Sequence, residues 1–167
     1  MSSELRGVSS DAFRRACGRF ATGVAVATVL DRAGMPHGLT VSSFTSVSLD
    51  PPLILICLGH EVSIIDTFRA APFFGINVLA EDQLELSERF ARKGFDRFDG
   101  LVWESGLTRV PLIPGALASM ECAAEQRIPS GDHDIFVGRM LASRIGEGKP
   151  LLYFASSYCT TSQMAGF

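Results

Sequence analysis

Between Gly38 and Pro52 the chain sets six hydroxyl side chains (Thr40, Ser42, Ser43, Thr45, Ser46 and Ser48) among five apolar ones (Leu39, Val41, Phe44, Val47 and Leu49). A solvated loop has no use for those apolar residues. A segment lining a partly buried polar ligand needs both kinds: hydroxyls and backbone N–H groups hold the ligand, and apolar side chains anchor the loop to the core. The hydroxyls read as hydrogen-bond donors rather than nucleophiles, since no serine sits in a G-x-S-x-G elbow. A Walker loop and a G-x-G-x-x-G turn after a first strand are also absent, which argues against a P-loop or Rossmann nucleotide site.

Three histidines are available. His37 follows a turn and reads as a solvated strand-end residue. His60, in Gly59-His60-Glu61, is either a loop residue or part of a site's rim. His133 comes directly after Gly131-Asp132 and opens a strand, a placement that can aim an imidazole into a cleft or leave it idle at a strand start. No two histidines have metal-ligand spacing and no Cys or carboxylate completes a set, so no metal site is expected. What is left is a site of hydroxyls, backbone and arginine, suited to a ligand with a phosphate and a planar polar ring. Ser42, Ser43 and Ser63 are candidates to donate to phosphate oxygens, and Ser63 opens an expected helix whose N-terminal amides favour an anion. Arg92 or Arg97 could supply a charge-assisted pair, with a solvated loop charge as the plain alternative for each.

These residues need elements to hold them. Phe13, Ala16, Cys17 and Phe20 recur at i, i+3, i+4, i+7, one face of a helix that Ser10 or Asp11 would cap. Strands are expected at 24–30 and 35–41, joined by the turn Asp31-Arg32-Ala33-Gly34. Residues 53–58 are apolar on both faces, which calls for a sheet whose second face is covered. A short helix at 63–69, a strand at 73–79 and a polar helix at 83–91 follow. Residues 92–100 form a charged loop with interleaved aromatics, and 103–114 are irregular. Long strands at 116–128 and 133–145 flank the turn Pro129-Ser130-Gly131-Asp132, and a last short strand begins after Pro150. Six or seven strands at hairpin spacing with three short helices predict an antiparallel, closed or nearly closed barrel, which removes the edges of so many apolar strands.

At 167 residues the chain reads as one domain, 1–167, with its core at about 11–160. Nearly half of the residues are apolar, more than one small domain hides easily, so a second copy of the chain is expected to cover the excess. The net charge of −3 carries no footprint for nucleic acid. Four well-separated cysteines, Cys17, Cys57, Cys122 and Cys159, read as free thiols, the first three buried. With neither a secretory apolar stretch nor a bilayer-spanning run, a soluble cytoplasmic protein is expected, with no membrane partner.

The residues also carry a family likeness. Phe20-Ala21-Thr22-Gly23-Val24, the Gly38–Pro52 segment, Asn77-Val78-Leu79, Phe90-Ala91, Gly131-Asp132-His133 and Pro150-Leu151-Leu152 are each weak markers, but they stand in order at family-like spacing from Phe13 to about Tyr158. In these the chain resembles the short-chain flavin reductases, the small reductase components of two-component flavin-dependent monooxygenases. The resemblance implies a mainly β fold with short helices, a six-stranded antiparallel Greek-key split barrel of the FMN-binding type. It implies a homodimer with flavin sites near the subunit interface, a partner monooxygenase, and hydride transfer from NADH or NADPH to FMN or FAD.

Carried over by position, Thr40, Val41, Ser42, Ser43 and Phe44, with Ser46 and Val47, would wrap the isoalloxazine edge and ribityl chain. Ser63 would lie near the flavin phosphate. Phe90, Ala91, Arg92 and Arg97 would close that side. His133 would orient the nicotinamide without acting as acid or base, with Tyr158 beside it. A non-catalytic flavin-binding or storage protein on the same barrel is the main rival. An oxidase of the pyridoxamine phosphate type is a more distant one, since it calls for a basic pocket and the chain has two lysines.

Overall fold

The computed structural model describes residues 7–94 and 96–164. Ser9 caps helix α1, Ser10–Cys17, its hydroxyl accepting from the Ala12 N–H at 3.2 Å, so the cap lies ahead of the Ser10 or Asp11 expected. Strands β1 (Thr22–Gly23) and β2 (Ala25–Leu30) follow. The Asp31 carboxylate accepts from the Ala33 and Met35 N–H groups and shapes the turn into β3 (Pro36–Val41). Next come β4 (Thr45–Ser48), a cis Asp50–Pro51 bond, β5 (Leu53–Gly59), α2 (Ile65–Ala70) and β6 (Phe73–Val78). A single 3-10 turn, Glu81–Gln83, leads into α3 (Leu84–Ala91). The short pair β7 (Glu104–Ser105) and β8 (Pro111–Leu112) precedes the two long strands β9 (Ala118–Ser130) and β10 (His133–Ile145). The hairpin β11 (Leu152–Phe154) and β12 (Ser157–Cys159) and the short α4 (Thr161–Met164) close the series. None of the described helices is long and apolar enough to cross a membrane.

Seven strands pair antiparallel in the order β3-β2-β6-β9-β10-β5-β4. The sheet curls until β3 faces β5 across one apolar interior: Leu39 and Val41 share a cluster with Ile54, Ile56 and Leu58, plugged by Ile65 and Phe68 of α2. A polar clasp joins the chain just past β3 to β5. The Ser43 hydroxyl donates to the Cys57 carbonyl at 2.9 Å and accepts from the Cys57 N–H at 3.0 Å, standing in for a strand where the ladder is split. The antiparallel barrel expected is thus what forms, with β4 as an added edge strand that Thr45-Ser46-Val47-Ser48, lacking apolar alternation, does not announce.

A second cluster lies outside the barrel, where Val24, Val26 and Leu79 meet Phe90 of α3, Phe98 and Leu151. It makes β2, not β5, the strand buried on both faces. On β5, Ile54, Ile56 and Leu58 point inward, while Leu53, Leu55 and Cys57 stay half-buried because no element among the described residues covers them fully. The apolar face of α1 is a second departure from expectation. Phe13 is 59% exposed and Phe20 77%, Cys17 is exposed, and no residue of the helix is buried. The family marker Asn77 has a purely architectural place. Its buried side chain donates to the Val26 and Pro111 carbonyls and accepts from the Ile113 N–H and the Ser119 hydroxyl, fixing β6 to its surroundings.

Candidate active site

The end of β3 is held to α3 by hydroxyl chemistry. Thr40 Oγ1 donates to the Ser87 carbonyl at 2.6 Å, and the Ser87 hydroxyl lies 2.8 Å from that of Tyr158. Two residues earlier Gly38 lets α3 approach, since a Cβ there would stand 2.9 Å from the Phe90 ring. Phe90 is wholly buried and meets Phe98 edge-on, so it supports the wall from behind instead of lining it.

In front of that wall are two adjoining hollows of about 220 Å³ each, which share Val24 and Ser42. One is bounded by Thr40, Val41, Ala91, Tyr153 and Tyr158. The other is bounded by Phe20, Thr22, Gly23, Phe44 and Val78. Five of the expected ligand residues, Thr40, Val41, Ser42, Phe44 and Ala91, therefore meet here with Tyr158. The neighbours Ser42 and Ser43 part company: Ser42 is exposed between the hollows, whereas both hydrogen-bonding capacities of Ser43 are committed to Cys57.

Other expected residues lie elsewhere. Ser46 and Val47 are exposed on the edge strand β4, where the pairing bulges at Val47. Ser63 stands two residues ahead of α2 rather than at its start, and lines a separate hollow of about 290 Å³ with Gly38 and Arg97. Arg97 is a clasp: Nε and Nη2 donate to the Arg92 carbonyl and Nη1 to that of Gly38, and burial pushes its pKa down from the ordinary arginine value. The exposed Arg92 guanidinium carries none of the side-chain bonds of the described residues and overlooks a shallow hollow with Glu85, Leu86 and Arg89. His133 opens β10, opposite Gly59 of β5, with Nδ1 donating to Asp132 at 2.7 Å. Tyr158 is paired with Tyr153 on the β11–β12 hairpin and tied to Ser87, and no contact among the described residues joins it to His133.

Thr22 is the residue that sequence reasoning passed over as a ligand candidate. Its Oγ1 is the one buried side-chain polar atom among the described residues without a hydrogen-bond partner, and it belongs to the hollow beside Ser42. Such atoms are rare in native proteins and ask for an explanation. An apolar-walled cleft with an orphan hydroxyl, a free hydroxyl and aromatic sides can grip the edge of a planar ring rich in hydrogen-bonding atoms. That is the donor set a flavin needs. The signal in the sequence was a lone hydroxyl residue inside Phe20-Ala21-Thr22-Gly23-Val24.

Residues 17–162 match the model of the flavin reductase like domain. The chain belongs to that family. An FMN reductase (NADH), SmoA, of Agrobacterium fabrum is 44% identical over 152 residues, 91% of this chain and 86% of that protein. An actinorhodin polyketide dimerase of Streptomyces coelicolor is 38% identical over 92% of this chain and 87% of that protein. The NADH:FAD oxidoreductase SgcE6 of Streptomyces globisporus, solved with NAD and FAD fragments, superposes with a TM-score of 0.86 at 36% identity, covering 94% of this chain and 96% of that one. Other family matches carry names as reductase components of flavin-dependent monooxygenases. The chain spans 48% of the length of one of these, so some relatives are about twice as long.

Proposed function

We propose that this flavin reductase-like chain is an NAD(P)H-dependent flavin reductase. It accepts hydride from NADH or NADPH into FMN or FAD and passes the reduced flavin to a separate flavin-dependent monooxygenase. The observation that carries this reading is the orphan Thr22 hydroxyl beside the free Ser42 hydroxyl in the double hollow. The flavin, when bound, supplies the two-electron chemistry, so no acid, base or nucleophile is required of the protein.

The chain's own residues bind and orient. Thr22 and Ser42 donate to acceptors at the ring edge, where donors stabilise the charge that reduction brings. Thr40 is kept from turning by its bond to Ser87, and Phe44, Tyr153 and Tyr158 exclude water. Arg92, whose guanidinium has no partner among the described residues, pairs with the flavin phosphate, and Ser63 supports that side. Arg97 and Phe90 hold the wall rather than the ligand. His133 orients the nicotinamide through Nε2, since Nδ1 is engaged by Asp132. A second copy of the chain covers the exposed Phe13 and Phe20 and the half-buried outer face of β5, and brings the flavin side and the His133 side of two subunits together. The protein works in the cytoplasm, where its four free cysteines stay reduced.

Purified protein mixed with NADH and added FMN or FAD is expected to consume NADH at catalytic rates. A storage protein on the same barrel would bind flavin and leave NADH untouched. Absence of turnover with every pairing of flavin and nicotinamide would sink the enzyme reading.

A further inference from the structure

Away from the hollows, charged side chains gather at the start of β10. Asp134 is only 1% exposed and sits opposite Leu58 of β5. A carboxylate that deep is costly without partners, and it has two. Arg69 Nε donates to one oxygen at 2.8 Å and His60 Nε2 to the other at 3.1 Å. A carboxylate only accepts, so the His60 proton in that bond sits on Nε2. The Arg69 partner, ahead of the opposing cost of burial, holds the Asp134 carboxyl below its ordinary range, which keeps it ionised for both donors.

Each donor brings a different segment. Arg69 belongs to α2 and also grips Asp66 through Nη1 at 3.0 Å. His60 follows β5 directly, and its backbone N–H donates to the Asp132 carbonyl at 2.9 Å. One carboxylate therefore ties α2, the end of β5 and the 131–133 turn together. The His133 ring lies over the same seam. A Cβ on Gly59 would stand 3.5 Å from His133 Nε2, so the imidazole rests against a residue with no side chain, one peptide link from His60.

We propose that Asp134 is a positioning residue for the nicotinamide: with His60 and Arg69 it holds Gly59 and the 131–133 turn in register and so sets the His133 imidazole. This rests on the reading of His133 as the group that orients the nicotinamide.

The test is steady-state kinetics of the purified protein, with NADH and flavin varied in turn, on H60L, H60Q, D134N and H133A. Gln can place an amide N–H where His60 Nε2 donates, and Leu cannot. H60L and D134N are expected to raise the KM for NADH roughly ten-fold, the scale of one hydrogen bond lost between a displaced His133 and the nicotinamide. Their flavin affinity, read by fluorescence quenching, stays unchanged, and H60Q behaves like the unmodified protein. An unchanged NADH KM in H60L, while H133A raises it, overturns the proposal and leaves His133 in its role. An equal rise for both substrates, or H60Q failing as badly as H60L, overturns it too, because the first is general loosening and the second is not mediated by the bond to Asp134. If H133A itself leaves the KM unchanged, the reading of His133 fails and the proposal falls with it. Should D134N not fold, the H60L and H60Q pair decides alone.

Discussion

The two ends of the split barrel solve opposite problems. At the end of β3 the polar groups are neutral hydroxyls, and two of them are open to a ligand: Thr22 Oγ1 has no partner among the described residues, and Ser42 is exposed. At the start of β10 the polar groups are ionic and already serve one another: Asp134 with Arg69 and His60, Asp132 with His133. The first end is built from packing and has spare hydrogen-bonding capacity. The second has spent its capacity on internal order and offers a ligand mainly one imidazole nitrogen. On the proposed function, the first end would hold an aromatic ring by its edge and the second would aim one side chain.

The contrast can be broken at either end. The larger effect is expected from Gly38→Val. Its new side chain would meet the Phe90 ring at 2.9 Å and the Ala27 carbonyl at 3.1 Å. Overpacking of this kind costs about 1–3 kcal/mol, and α3 must retreat from β3. Urea unfolding should show the loss of stability, and flavin titration should show weaker binding, since Thr40 and Tyr158 are hung on the same contact. Normal flavin affinity in a destabilised variant would separate the wall from the site.

A smaller effect is expected from acid at the other end. The folded pKa of Asp134 lies below its ordinary value, first through Arg69, then against the cost of burial, then through His60. Its contribution to stability is therefore complete above the unfolded carboxylate pKa of about 3.9 and is lost as pH falls through the folded value. Glu121 adds to the same acid limb. Burial pushes its carboxyl up, but donors from Thr108 and Leu107 hold it below the usual range. Melting temperature followed downward from neutral pH should fall in the unmodified protein and fall less steeply in D134N. Equal slopes would mean that the Asp134 cluster is not an ionic clamp.

Much of this architecture could be read from residue order. Residues 133–145 carry their alternation and their turn openly, and the strand observed, His133–Ile145, has those same ends. That part of the hydroxyl segment lines a hollow was legible because apolar residues interleave with it. Four things were hidden for physical reasons. The β11–β12 hairpin turns on Ala155 and Ser156, both at positive φ, without the Asn-Gly or Asp-Gly that marks such a turn. The amphipathic period of α1 specifies a helix but not what its apolar face meets, and among the described residues nothing buries it. Ser42 and Ser43 differ only in which of them falls on the barrel seam, a matter of three-dimensional closure. The Thr22 hydroxyl is unpartnered among the described residues, and a missing hydrogen bond leaves no trace in sequence.

The most direct measurement is the flavin dissociation constant of Thr22→Val, by quenching of flavin fluorescence, against the unmodified protein. Valine keeps the shape and removes the one orphan hydroxyl. The free chain should be as stable as before or slightly more so, because a buried unpaired group has been removed, while flavin binding should weaken about three- to ten-fold for the lost hydrogen bond. An unchanged dissociation constant in Thr22→Val, and again when Ser42→Ala is added, would contradict the assignment of the flavin to this double hollow.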